Sequence, residues 1–146
     1  MDIPEYISIE EVRSVCNKLG ITDWTKLKKA EISLNEAKKI LSEIDVGNLK
    51  IDVESFRNGL EVELEHGIRF RNANVTNNHP LITGMIVVAH FEESLDYYQR
   101  LEVAELEGDL LKAIANNKSE KIRSIYSRLA IAKLALNKSE INSLKI

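Results

Sequence analysis

Residues 81–91 read LITGMIVVAHF, and this stretch decides the fold. It is apolar on nearly every face of a helix, as expected for the most central helix of a soluble protein. Its β-branched residues would also suit a buried strand, but the rest of the chain offers no strand partners. The stretch is much shorter than the about 20 apolar residues of a membrane helix. We therefore predict a central, buried helix.

Amphipathic segments with helix start signals precede this stretch. Ser8 and Ser33 each stand three residues before a glutamate, which is the capping-box pattern. Apolar residues then recur at helical spacing, so the sequence predicts a first helix over 9–19 and a second one that ends before Gly47. Asp52 is expected to cap a third helix, which His66-Gly67 would close.

The segments on either side of the central stretch are less regular. Residues 68–79 are polar and predict a loop, with Pro80 in the first turn of the central helix. Whether residues 81–107 form one helix or two stays open. Asn116-Asn117 predicts a break before a final helix capped by Ser119.

Composition supports this fold class. Of the 146 residues 44% are hydrophobic and 29% charged, and only two are prolines, which favours helices over a turn-rich β fold. We predict an all-α protein: a compact bundle of about five to six helices around residues 81–91. It would form a single domain over 1–146, with a basic helical extension at 108–146.

Charge is distributed unevenly along the chain. Residues 52–109 contain 12 acids and 4 bases, whereas residues 110–146 contain 2 acids and 8 bases. Opposite potentials attract, so the acidic middle and the basic tail are expected to meet within one chain or between subunits. Solvated helix faces are the alternative.

Several function classes lack a signal. The first residues do not resemble a secretory signal, so a cytoplasmic location without membrane contact is expected. Cys16 is the sole cysteine and lies on an apolar stripe, which predicts packing rather than a disulfide. No phosphate-binding glycine loop, CxxC pair or serine-hydrolase elbow occurs, and no organic cofactor is expected. With a pI of about 5.7, nucleic acid is not an expected partner either.

The most informative feature is a pair of mirrored spacings between glutamate and histidine residues. Glu63 and His66 stand three residues apart on the third predicted helix, and His90 and Glu93 do so on the central one. Residues three apart share a helix face. If the two helices pack antiparallel, we expect Glu63 opposite His90 and His66 opposite Glu93.

Such a group of ligands suits a divalent transition metal, Zn²⁺, Mn²⁺ or Fe²⁺. A dinuclear site would need further carboxylates, and the candidates are Glu61, Glu65 and Asp96. The other interpretation is a core His90 that is hydrogen-bonded to Glu63 or Glu93. His79 is assigned to a helix start rather than to a site.

Two blocks of the sequence resemble a known family. They are FRNGLEVELEHG at 56–67 and the segment at 74–105 that contains TGMIVVAHFEESLDYYQRL. They are similar to the ELEHG block and the TGKIAxAHLxExPDYYxRL block of small uncharacterised proteins of bacteria, archaea and phages. The resemblance covers about residues 9–107 and implies no activity.

The resemblance adds site candidates and two departures. The positions shared with the family are Glu63, Glu65, His66, Thr83, Gly84, His90, Glu93, Asp96, Tyr97 and Tyr98. His79 replaces an acid of the family, and Leu95 replaces a proline. Without that proline, a continuous helix across 94–96 is easier to form.

Two hypotheses of function follow. The first is a helical protein with a metal site built by Glu63, His66, His90 and Glu93, with no reaction assigned. The second is a non-enzymatic assembly or adaptor module of a virus or mobile element. It would form homo-oligomers through the acidic middle and the basic tail.

Overall fold

The computed structural model describes residues 7–144, and these residues form helices without any strand. The α helices are α1 (Ile9–Leu19), α2 (Leu34–Ser42), α3 (Val53–Arg69), α4 (Pro80–Glu93), α5 (Tyr97–Ala115) and α6 (Ser119–Leu144). Short 3₁₀ helices span Trp24–Lys26 and Arg71–Ala73. The predicted all-α class with five to six helices is confirmed. None of the described helices combines the length and apolarity needed to cross a membrane.

The chain divides into two compact units, Met1–Glu93 and Ser94–Ile146. The N-terminal unit contains α1 to α4, and the C-terminal unit contains α5 and α6. The predicted single domain over 1–146 stays a prediction, and its residues 1–6 and 145–146 lie outside the described residues.

Local capping explains where the N-terminal helices begin. The Ser8 hydroxyl accepts a hydrogen bond from the backbone N–H three residues ahead, at 3.1 Å. Ser33 and Glu36 form the complete capping box, and Asp52 caps α3. These bonds satisfy backbone donors that have no partner in the first turn of a helix. The first helix has the predicted bounds, and Gly20 ends it at a φ of 60°.

Helix α4 is the central element of the N-terminal unit, as predicted, because it packs against α1, α2 and α3. Gly84 allows its close approach. A Cβ atom at this position would lie 2.4 Å from Ile44 Cδ1 and 3.1 Å from Phe56 Cζ. Trp24, at the start of the first 3₁₀ helix, is fully buried in the same unit.

One helix boundary differs from the sequence interpretation. Helix α3 does not close at His66-Gly67 but continues to Arg69. Gly67 instead provides space, since a Cβ there would lie 2.1 Å from Asn78 Oδ1. The sequence does not decide whether residues 81–107 form one helix or two. They form two, and residues 94–96 between them are non-helical. At this break, the Ser94 hydroxyl donates to the Asp96 carboxylate.

The C-terminal unit is a hairpin of α5 and α6. The predicted break lies between them, where Asn117 adopts a φ of 52°. The small core of the hairpin consists of Leu106, Leu129 and Ala132, with three partly buried apolar side chains packed against it. Charged pairs also join the helices: Glu107 lies 2.6 Å from Lys133, and Arg100 lies 3.0 Å from Glu140. The Glu107–Lys133 pair joins an acid of residues 52–109 to a base of residues 110–146, whereas the Arg100–Glu140 pair has the opposite polarity.

Candidate functional site

The mirrored spacings meet at one contact between α3 and α4. Glu63 Oε1 lies 3.5 Å from His90 Nε2, and the two side chains are 19% and 27% exposed. The sequence predicts this pair. His90 is partly exposed, so the contact sits at the edge of the apolar core rather than inside it.

The other predicted opposition, between His66 and Glu93, does not fit this register. In an antiparallel pair, a forward step on one helix corresponds to a backward step on the other. With Glu63 opposite His90, residue 66 therefore faces position 87, and residue 93 faces position 60. Accordingly, His66 lines a cavity together with Thr83 and Ile86. Glu93, the last residue of α4, is exposed and does not line this cavity.

A small cavity adjoins Glu63 and is lined in part by the loop before α4. Its volume is about 140 Å³, and Glu63 and His66 line it on the α3 side. Its polar lining is completed by Asn74, Thr76 and Thr83. The cavity therefore places a carboxylate, an imidazole, an amide and two hydroxyl groups around one space.

The loop wall of the cavity depends on asparagines. Asn74 donates from its side chain to Gly67 O at 3.3 Å and to Asn78 Oδ1 at 2.9 Å. Asn77 and Asn78 both have positive φ values, 48° and 60°, which asparagine tolerates better than most residues. The sequence interpretation assigns this segment to a loop and misses its place at the site. The asparagine pair is the available signal, because such residues favour tight turns.

Two of the additional metal candidates lie elsewhere on α3. Glu61 Oε1 accepts a hydrogen bond from the backbone N–H of Ile32 at 2.9 Å and pairs with Arg57 at 3.2 Å. Glu65 is exposed and lies 3.8 Å from Arg69. Both carboxylates are separated from Glu63 by about 160° around the helix axis, so they do not face the cavity.

The third candidate, Asp96, belongs to the C-terminal unit. Its two carboxylate oxygens accept hydrogen bonds from Arg100 at 2.9 Å and 2.7 Å. The Arg100 hydrogen bond is the main reason why the pKa of Asp96 is below its usual value. This carboxylate is therefore held at the start of α5.

Across residues 7–144, no group of three or more His, Cys, Asp and Glu side chains is arranged to hold a metal ion. Within this range, the four predicted ligands thus do not form one cluster. What the structure brings together is Glu63 with His90, and Glu63 with His66 on the α3 side of the cavity.

His79 occupies the helix start, as predicted. Its Nδ1 atom accepts a hydrogen bond from the backbone N–H of Ile82 at 3.4 Å, and its carbonyl accepts one from Thr83 at 2.9 Å. The ring is buried, with 6% exposure. Burial lowers the pKa of His79, against the opposing effect of the Glu11 charge. A neutral imidazole therefore caps α4.

Cys16 is also buried, and burial raises the pKa of its thiol.

Comparison with known proteins identifies a family for this chain. A family model with the description "Protein of unknown function (DUF5661)" matches residues 12–107. This range includes all of α3 and α4 and ends within α5. No curated protein and no solved structure matches the chain.

Proposed function

The chain belongs to this family of proteins of unknown function (DUF5661), and we propose that its N-terminal unit binds a divalent transition-metal ion through Glu63 and His90. The supporting observation is the 3.5 Å separation between Glu63 Oε1 and His90 Nε2. Zn²⁺, Mn²⁺ and Fe²⁺ all accept a carboxylate together with an imidazole.

The separation suits two ligands of one ion. A hydrogen bond between a ring N–H and a carboxylate normally has a length of about 2.7–3.2 Å. Two ligand atoms at about 2.1 Å from a tetrahedral zinc ion are about 3.4 Å apart. The observed 3.5 Å is closer to the second value.

Water would complete the coordination shell. The adjoining cavity of about 140 Å³ has room for several molecules, since a water molecule takes up about 30 Å³ of liquid volume. Thr76, Thr83 and His66 can form hydrogen bonds to such waters. With two protein ligands, binding is expected to be weaker than at a closed four-ligand zinc site. The competing interpretation is a Glu63–His90 pair that only joins the two helices.

Metal titration of the full chain separates the two interpretations. Protein made without a histidine tag would be titrated with Zn²⁺ and Mn²⁺ by calorimetry, and bound metal would be counted after dialysis. We expect one bound ion per chain. A chain that retains no metal above the level of a protein of similar charge would overturn the proposal.

A matched pair of variants assigns the ligand. Glu63→Gln removes the charge at the site, whereas Glu65→Gln removes the same charge from an exposed position on the same helix. We expect at least a tenfold loss of affinity for Glu63→Gln and for His90→Gln, and little change for Glu65→Gln. Equal effects of the two glutamate variants would indicate general electrostatic attraction and no site. Circular dichroism checks that each variant is folded.

A third ligand should strengthen the site. Ile86 lines the cavity one helical turn before His90, so Ile86→His would add an imidazole on the same face of α4. We expect this variant to bind zinc more tightly by a factor of ten or more. Met85→His, at an exposed neighbouring position, is the control and should leave the affinity unchanged.

A further inference from the structure

The C-terminal hairpin exposes an unusual amount of apolar surface. Seven large apolar side chains on its two helices are between 51% and 69% exposed: Leu111, Ile114, Tyr126, Ile131, Leu134, Ile141 and Leu144. Single exposed apolar residues are common on protein surfaces, but sets of this size on adjacent elements indicate interaction sites.

On α6, most of these side chains form a second stripe. At about 100° per residue, Tyr126, Leu134, Ile141 and Leu144 lie within about 80° of one another. The stripe that packs on α5 contains Ile125, Leu129 and Ala132. The two stripes are separated by roughly 120° around the helix axis. A helix with two such stripes is suited to two neighbouring helices, as in a four-helix bundle.

Charge identifies a suitable neighbour. Helix α5 contains four acids and two bases, whereas α6 contains two acids and five bases. If two hairpins associate with α5 of one copy beside α6 of the other, every helix lies between helices of opposite net charge. The alternative, with the two α6 helices side by side, brings like charges together. An anionic lipid surface would also repel the acidic helix α5.

We propose that α5 and α6 form half of a four-helix bundle whose other half is the hairpin of a second copy of this chain. The two copies are related by a twofold axis, so each α6 stripe covers the exposed apolar residues of the partner hairpin's α5. The proposal uses the C-terminal unit alone and does not depend on metal binding.

Sedimentation equilibrium of the full chain in a chelating buffer tests the association. We expect twice the chain mass of 16.6 kDa at micromolar concentrations. Leu134→Glu places a charge in the α6 stripe and should raise the dissociation constant at least tenfold. Met85→Glu makes the same kind of change at a comparably exposed helix position outside the hairpin and should have no effect.

The arrangement is tested by cross-linking mixed ¹⁴N and ¹⁵N copies with a carbodiimide, which joins carboxylates to lysines. Mixed-isotope links between α5 acids and α6 lysines are expected. A monomer at 100 μM and low salt would overturn the proposal, and so would equal dissociation of the two glutamate variants. A monomer that binds anionic vesicles through α6 would identify a membrane surface as the occupant instead. Mixed links confined to α6 would refute the pairing of α5 with α6.

Discussion

Glycine-to-alanine substitution at two helix positions tests how closely α4 is packed. Both Gly84 and Gly108 lie within helices, so alanine should stabilise either one by about 0.5–1 kcal/mol through helix propensity alone. At Gly108 no atom other than the neighbouring residues and the backbone of its own helix lies within 4 Å of the added Cβ. Gly108→Ala should therefore give the full gain.

At Gly84 the added methyl group meets other atoms. It would lie 2.4 Å from Ile44 Cδ1 and 3.1 Å from both Ile40 Cγ2 and Phe56 Cζ, whereas carbon atoms in contact are normally about 3.5–4.0 Å apart. Overpacking of a core costs about 1–3 kcal/mol. After the propensity gain is subtracted, Gly84→Ala should lower the free energy of unfolding by up to about 2.5 kcal/mol.

Urea denaturation measures both effects. The fluorescence of Trp24, the chain's one tryptophan, reports on the N-terminal unit, because this side chain is fully buried there. Far-UV circular dichroism also follows the C-terminal hairpin. Gly84→Ala should shift the fluorescence midpoint to lower urea, and Gly108→Ala should raise the stability of the hairpin. If Gly84→Ala were more stable than the wild type, the close packing of α4 would not be what requires a glycine at this position.

Three further substitutions follow from caps and cores. Burial lowers the pKa of His79, so on acidification the unfolded chain takes up a proton before the folded chain does, and stability should fall as the pH drops below about 6.5. His79→Asn keeps a side-chain acceptor for the cap and should make stability depend less on pH in thermal unfolding scans. Burial acts to raise the pKa of Glu36, but hydrogen bonds from Thr22 and the capping box outweigh it and keep the pKa low. Glu36→Ala should therefore cost about 1–3 kcal/mol at pH 7 in urea denaturation, with a smaller difference from the wild type below pH 4. Leu129→Ala removes a buried side chain from the small hairpin core and should cost about 2–5 kcal/mol, measured by circular dichroism below the concentration at which copies associate.

The sequence is sufficient for those parts of the fold that depend on local interactions. Caps at Ser8, Ser33 and Asp52 involve a side chain and a backbone group three residues away, so spacing alone predicts them. The end of α3 is not predictable in the same way. Gly67 is a residue type that often ends helices, but here it leaves space for the Asn78 side chain, which lies 11 positions further along the chain.

The exposed face of the hairpin is also hard to predict from the sequence. Leu129 and Leu134 are both leucines on one amphipathic helix, yet the first is 5% and the second 56% exposed. Helical periodicity shows that apolar residues recur, but a helix with two apolar stripes gives a blurred pattern. Only the position of α5 shows which apolar stripe of α6 is covered within the chain and which stripe is exposed.

The site depends on register more than on residue content. His66 and His90 would face each other if α3 and α4 were shifted by three residues, which is only about 4.5 Å along the helix axis. The structure has Glu63 beside His90 instead, and the buried positions explain why this register is favoured. Leu64 and Val87 bury their side chains, while Gly84 must meet the side chains of α2 and α3 at close range. A three-residue shift would move these positions off the core face, at a cost that one additional polar contact does not offset. The packing of the apolar core therefore determines which acid contacts which imidazole. In antiparallel helices, the mirrored spacings Glu-x-x-His and His-x-x-Glu bring together one Glu–His pair, whereas the motifs alone suggest two such pairs.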